Sequence, residues 1–179
     1  MRSDEVIMQQ VAAGDIRQLG ELYARHKQPL FGFLCGRTDR ETAQDLLQNT
    51  FERVIKYRNS YKGPSFRTWL FTIARNTLHD RQRAAGKLPV KNGVDLAQLK
   101  HLVPSYDTEM ERAETRAQSK AALASLPDAY REVIDLAWKR GLKYAEIAAV
   151  LGISEANVKV RVFRATKQLR LNYAKLNRQ

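Results

Sequence analysis

Residues 144–165, YAEIAAVLGISEANVKVRVFRA, constrain the fold of this chain more than any other stretch. Apolar residues recur at helical spacing as far as Leu151. Gly152 follows, where a helix can end in the left-handed conformation that glycine adopts without a steric penalty. Ser154 is then a good N-cap for a second helix, whose inward positions begin at Val158. The stretch therefore predicts a helix-turn-helix, in which the second helix can lie in the major groove of DNA.

The second helix of this motif is basic on the side away from its apolar residues. Five polar side chains are predicted to point outward or to lie at the edge: Asn157, Lys159, Arg161, Arg164 and Lys167. Arg and Lys side chains bind guanine and phosphate, and Asn pairs with adenine. We therefore favour DNA recognition, although an ordinary helical hairpin with a solvated cationic face is the alternative.

Helical periodicity also dominates the rest of the chain, and no stretch alternates as a strand would. In the N-terminal half we predict a short helix capped by Ser3, a second over 15–35, a third opened by a capping box from Thr38 to Glu41, and a fourth over about 66–83. In the C-terminal half we predict a capping box at 108–111, a helix through about 125, and another over 128–139.

Periodicity fades over residues 84–107, where glycine and proline recur, so this segment is predicted to be a linker that holds at most a short helix at 96–102. The fold class is therefore all-α, with two small helical domains over residues 1–83 and 108–179.

The net charge of +12 is carried by the two ends of the chain. Residues 1–83 hold 14 Lys and Arg against 9 Asp and Glu, residues 108–179 hold 14 against 8, and the residues between them hold 3 against 2. A basic balance favours a polyanionic partner, either nucleic acid or an anionic membrane surface. No segment approaches the roughly 18 apolar residues of a membrane span. The N-terminus also lacks a signal-peptide core, so we expect a cytoplasmic protein without membrane insertion.

The sequence offers no constellation for catalysis, metal binding or cofactor binding. Cys35 is the one cysteine, and His26, His79 and His101 lack neighbouring ligands. There is no phosphate-binding loop of the GxxxxGK[ST] type. We expect a protein that is not an enzyme and that carries neither metal nor cofactor.

Three motifs resemble those of a known family, the bacterial RNA polymerase sigma factors of the extracytoplasmic-function (ECF) type. Residues 45–51, DLLQNTF, resemble the family's DLVQETF motif in its second conserved region. Residues 66–76, FRTWLFTIARN, resemble its F-x-x-W-L-x-x-I-A-x-N motif, and residues 126–169 are similar to its fourth region. The three motifs follow the family's order and cover most of the chain outside the linker.

The resemblance implies an alternative sigma factor that binds core RNA polymerase and directs promoter-specific initiation. It also implies control by an anti-sigma factor. A helix-turn-helix regulator that acts without polymerase is the alternative, and an enzyme with an accessory DNA-binding domain is a third class.

The resemblance further implies which residues meet each partner. Docking on the coiled coil of the polymerase β′ subunit falls to Asp45, Gln48, Asn49 and Arg53, and a contact with the β flap is also implied. Asn49 replaces the acid that is usual at its position, so one charge-assisted contact is missing.

The resemblance implies that the loop RNSYKGPS and the helix after it recognise and open the −10 promoter element. The residues are Asn59, Tyr61, Lys62, Arg67, Phe71, Arg75 and Asn76. Asn76 matches the position that captures a flipped base, and aromatic rings can stack on unpaired bases. Phe66 and Trp69 are expected to pack inward, whereas Phe71 lies off the main apolar face and is expected to be exposed.

Recognition of the −35 element falls to the second helix of the motif and its cap: Ser154, Asn157, Lys159, Val160, Arg161, Arg164 and Lys167. Val160 replaces a small polar residue that is common in the family, which favours an apolar contact with a thymine methyl group.

Overall fold

The computed structural model describes residues 2–86 and 109–176. Every long regular element in those residues is helical, which confirms the predicted all-α fold, and the chain divides into two compact units. The first unit contains α1 (Asp4–Ala12), α2 (Leu19–Cys35), α3 (Arg40–Lys56) and α4 (Phe66–Ala84). The second region contains α5 (Glu109–Ala124), α6 (Asp128–Ile134), α7 (Tyr144–Leu151) and α8 (Glu155–Leu176).

Side-chain caps begin three of the four helices of the first unit, α1, α3 and α4. Ser3 caps α1, as predicted, and Ser65 caps α4 by accepting a hydrogen bond from the Thr68 amide at 3.2 Å. The capping box predicted for α3 is wrong. Asp39 is the N-cap and accepts from the Thr42 amide at 2.8 Å, while the Thr38 hydroxyl donates to the carbonyl at the end of α2. A carboxylate is the stronger acceptor at a helix N-terminus, because it carries a full negative charge.

The core of the first unit lies where α4 packs against α1, α2 and α3. Phe66 and Leu70 are fully buried, as expected for the main apolar face. Phe71 is only 1 % exposed and its ring meets that of Phe33 edge-on, with 5.2 Å between centroids. The prediction that Phe71 is exposed is therefore wrong. Three neighbouring helices pack against α4, so the buried side of this helix is wider than the apolar stripe that the sequence pattern indicates.

The second region is built around α8, which packs against both α5 and α6. The helix predicted over 128–139 is continuous, but its last five residues form a π-helical turn after α6. Asp135 and Arg140, at the two ends of this turn, are both buried and their side chains lie 3.5 Å apart. At the C-terminal end, the Asn172 amide donates to the Ser125 hydroxyl at 2.9 Å and so joins α8 to the end of α5.

Several sequence predictions lie outside the described residues. These are the linker from residue 87 onward, the short helix at 96–102 and the first residue of the capping box at 108–111.

Candidate nucleic-acid and polymerase interface

The helix-turn-helix is formed by α7, a short turn and α8. Gly152 has a φ of 66°, the left-handed conformation predicted for it. The Ile153 amide donates to the Ala148 carbonyl at 3.1 Å, which closes the end of α7. The Ser154 hydroxyl accepts from the Asn157 amide at 3.2 Å and begins α8. Both the glycine turn and the serine cap are confirmed.

The apolar side of α8 is held by Val158, Val162 and Ala165, which are buried. This orientation leaves the side chains of the predicted set exposed or half-buried around the remainder of the helix surface. Ser154, Asn157, Lys159, Val160, Arg164 and Lys167 are exposed, and Arg161 is half-buried at the edge. With 3.6 residues per turn, Val160, Arg164 and Lys167 lie opposite the buried residues, Asn157 and Arg161 lie toward one flank of this surface, and Lys159 lies toward the other flank.

Lys159 is paired within this surface. Its ammonium group lies 3.1 Å from the Glu155 carboxylate one turn earlier, and both side chains are about half exposed or more. An exposed pair of this kind contributes little to stability, so Lys159 can exchange the carboxylate for a phosphate or a base edge at small cost.

Phe163 is the residue that sequence reasoning missed on this face. Its side chain is 70 % exposed, next to Val160 at 45 %. The two residues are three apart on α8 and so are neighbours on the helix surface. Together they place an apolar patch within the basic face. The signal was present in the sequence, because Phe163 falls one position after the inward Val162.

The candidate polymerase-docking residues lie on the exposed side of α3. Asp45, Gln48 and Asn49 are exposed, and Arg53 is half-buried. A shallow groove of about 450 Å³ separates this side of α3 from α4, and Asn49 and Arg53 contribute to its lining. Two of the four predicted residues, Asn49 and Arg53, therefore line this groove, while Asp45 and Gln48 are exposed on the same helix outside its lining.

Two side chains of α4 pair with the docking set, and no local sequence pattern indicates either pairing. Asp80 accepts from Arg53 at 2.7 Å, and Arg81 lies 3.7 Å from the Asp45 carboxylate. The hydrogen bond from Arg53 holds the pKa of Asp80 below its ordinary value, with Arg83 adding to the effect. Asp80 therefore stays ionised at neutral pH and keeps Arg53 oriented along the groove.

The candidate −10 residues are less closely grouped. Asn59 and Lys62 are exposed on the loop before α4, while Tyr61 is half-buried, with its ring 5.2 Å from that of Trp69. Burial, together with the carboxylates of Glu5 and Asp4, raises the pKa of Tyr61 to about 12. Its hydroxyl is thus neutral at physiological pH.

On α4 itself, Asn76 is exposed, and Arg67 and Arg75 are half-buried. Arg67 and Asn76 are nine residues apart on α4, about two and a half turns, so they leave the helix on opposite sides. The structure therefore does not place these two side chains around one nucleotide. Phe71, being buried, is removed from the set.

Metal-binding clusters and membrane-spanning helices were also sought in the described part of the chain. Among residues 2–86 and 109–176, no group of three or more His, Cys, Asp or Glu side chains is arranged to hold a metal ion. None of the helices described has the length and apolar character needed to cross a membrane.

Comparison with known proteins identifies the family. The sequence profile of Sigma-70 region 2 matches residues 22–88, and that of Sigma-70, region 4 matches residues 118–169. The ECF RNA polymerase sigma factor SigM of Bacillus subtilis (strain 168) is 32% identical over 159 residues, covering 87% of this chain and 94% of SigM. This chain belongs to the ECF RNA polymerase sigma factors.

Other relatives agree with this assignment. The ECF RNA polymerase sigma-E factor of Escherichia coli (strain K12) is 27% identical over 176 residues, covering 93% of this chain and 92% of that protein. A solved structure of CnrH in complex with the cytosolic domain of CnrY matches with a TM-score of 0.69 and 28% identity, covering 99% of each chain. RpoE from Bartonella quintana, solved with the anti-sigma factor NepR, shares the fold at a TM-score of 0.64 and 23% identity over 87% of this chain and 96% of that one.

The chain is therefore an alternative sigma factor, as the three sequence motifs indicated. The polymerase-independent regulator is not favoured.

Proposed function

We propose that this ECF sigma factor docks on core RNA polymerase through the exposed side of α3. Asp45, Gln48, Asn49 and Arg53 would meet the coiled coil of the β′ subunit. The proposal is supported by the exposure of Asp45, Gln48 and Asn49 on α3, and by the adjacent groove, which Asn49 and the half-buried Arg53 line together with Asp80 of α4. A helix of the partner can lie in such a groove and make polar contacts with these side chains of α3. Asn49 lacks a charge and contributes a neutral hydrogen bond where most relatives would place an ion pair.

The −35 element is read by α8 in the major groove. The single observation that carries this assignment is the exposure of Asn157, Lys159 and Arg164, with Arg161 half-buried at the edge, on the helix that follows the glycine turn and the serine cap. Lys and Arg at these positions bind base edges and phosphates. Val160 and Phe163 add the apolar contacts that suit thymine methyl groups, and Ser154 and Lys167 flank the set at its two ends.

The −10 element is recognised and opened by the first unit. Lys62, Arg67 and Arg75 meet phosphates, while Asn59 and Tyr61 face the unpaired strand and Asn76 hydrogen-bonds a base that has left the stack. Exposure of Asn59, Lys62 and Asn76 supports this assignment. The chemistry of RNA synthesis belongs to the polymerase, so this chain acts as a non-enzymatic factor in the cytoplasm, without a cofactor.

The two functions belong to separate domains, over residues 1–83 and 108–179, joined by the linker at 84–107. The C-terminal domain also meets the β flap of the polymerase. A dedicated anti-sigma factor holds the chain inactive. The family membership and the complex of CnrH with CnrY support a protein partner of this kind.

A reconstituted run-off assay tests the proposal. Core polymerase plus this chain should produce discrete transcripts from fragments of the native genome, and core polymerase alone should not. The polymerase-independent alternative predicts tight, sequence-specific duplex binding by the purified chain and no co-purification with polymerase. Failure to initiate on any genomic fragment, combined with such autonomous binding, would contradict the proposed function.

A further inference from the structure

A glutamate on α1 caps a helix that begins far along the chain. The Glu5 carboxylate accepts a hydrogen bond from the Phe66 amide at 3.2 Å, across 61 residues. Phe66 is the first residue of α4, and its amide has no carbonyl partner within the helix. The Ser65 hydroxyl accepts a hydrogen bond from the Thr68 amide in the same turn. The N-terminus of α4 is thus held by two side chains, one local and one from α1, and the negative charge of Glu5 suits the positive end of the helix dipole.

The neighbouring residue holds α1 in place. The Asp4 carboxylate accepts from Arg25 and lies against His26, both on α2 and both at 2.6 Å. These bonds lower the pKa of Asp4 even though its burial opposes them, so the carboxylate is ionised at neutral pH. His26 is buried and its ring meets that of Phe66 at 5.4 Å between centroids. Glu5 is therefore presented to α4 from a helix that is itself bonded to α2.

The segment that Glu5 restrains is the loop that enters α4. Residues 61–65 lie between the short 3-10 turn at Arg58–Ser60 and α4, and Lys62, Gly63 and Pro64 are exposed. The Tyr61 ring packs against Phe66 with 6.2 Å between centroids, and its hydroxyl is buried without a hydrogen-bond partner. The loop is therefore anchored at its C-terminal end by the turn that Glu5 caps. The Tyr61 hydroxyl makes no hydrogen bond that would anchor the loop further.

We propose that Glu5 is a positioning residue for promoter opening: by fixing the first turn of α4 it holds the loop at 58–65 in the geometry that receives the unpaired strand. This rests on the proposed role of that loop at the −10 element. A loop already ordered by α1 loses less conformational freedom when it meets DNA, so opening is favoured without any contact between Glu5 and DNA.

The test compares two templates for each variant. On duplex promoter DNA with core polymerase, Glu5→Ala should reduce permanganate reactivity at the −10 element roughly tenfold, the scale of a hydrogen bond to a charged group. On the same promoter with a mismatched, already open −10 bubble, its transcription should stay within about twofold of wild type, because opening no longer limits the rate. Glu5→Gln keeps an acceptor for the Phe66 amide and should recover most of the loss. Gln9→Ala, on the exposed side of the same helix, is the matched control and should behave as wild type.

Two results would overturn the inference. One is unchanged opening of duplex DNA by Glu5→Ala. The other is an equal loss on both templates, since that pattern reports a folding or polymerase-docking defect rather than a defect in opening. Wild-type activity separates the two proposals: a wild-type chain that fails to initiate with polymerase contradicts the proposed function, whatever Glu5 does.

Discussion

At the scale of single residues, features that depend on near neighbours in the sequence were predictable, and the exposure of aromatic side chains was not. Gly152 and Ser154 were predicted correctly because a left-handed turn and an N-cap depend on chemistry within a few residues. Phe71 was not, because its burial depends on Phe33, which reaches it from another helix. Phe163 is the converse case, an aromatic residue that the fold leaves 70 % exposed.

Alanine substitutions at these two phenylalanines should separate stability from DNA recognition. Phe71→Ala removes a fully packed ring and should lower the free energy of unfolding by about 3–5 kcal/mol. Phe163→Ala should change it by no more than about 0.5 kcal/mol yet weaken transcription from a promoter that depends on its −35 element. Urea denaturation and run-off transcription measure the two effects. A large stability loss in Phe163→Ala, or full promoter use by it, would contradict the placement of this side chain on the DNA-facing surface.

At the level of elements, helices were predictable and the bonds between them were not. The bounds of α4 and the turn between α7 and α8 follow from apolar periodicity, caps and glycine, which all act within a turn or two. The start of α3 was predicted one residue early, because Asp39 rather than Thr38 is its N-cap. The bonds Arg53 to Asp80 and Glu5 to Phe66 join residues 27 and 61 positions apart. No local pattern marks such pairs, so the second wall of the docking groove and the second cap of α4 became visible only in the folded chain.

The turn between α7 and α8 gives the most direct test of an element boundary. Gly152→Ala places a Cβ in open space, so the substitution is unfavourable only because the backbone is left-handed at this position. It should lower the free energy of unfolding by roughly 1–2 kcal/mol. Gly20→Ala is the matched control: this glycine lies inside α2, with no positive φ and no neighbour within 4 Å of an added Cβ. It should stabilise the chain by roughly 0.5–1 kcal/mol, the helix propensity difference between the two residues. Thermal unfolding of the two variants should shift in opposite directions, and shifts of the same sign would contradict the assigned turn.

At the scale of the whole molecule, the proposed function divides promoter recognition between two helical units. Each carries a basic excess, and each carries only a modest set of DNA-binding side chains. Two modest sites gain combined affinity when their separation is fixed to match the target, and polymerase would supply that constraint. The division into two helical units was predictable, since helical periodicity and the split in charge are properties of the sequence. The pairing of each unit with a promoter element came from the family motifs, because groove contacts are not encoded in periodicity.

The central claim is that α8 reads the −35 element while α4 opens the −10 element. Permanganate footprinting with core polymerase tests it most directly, on a mapped native promoter and on the same promoter with its −35 element scrambled. We predict that Lys159→Ala and Arg164→Ala each weaken the free energy of promoter recognition by roughly 1–3 kcal/mol on the intact promoter. Neither substitution should have much effect on the promoter with the scrambled −35 element. Asn76→Ala should impair strand opening on both promoters while sparing duplex binding. Equal permanganate reactivity of Asn76→Ala and wild type, or losses in the α8 variants that do not depend on the −35 sequence, would contradict the account.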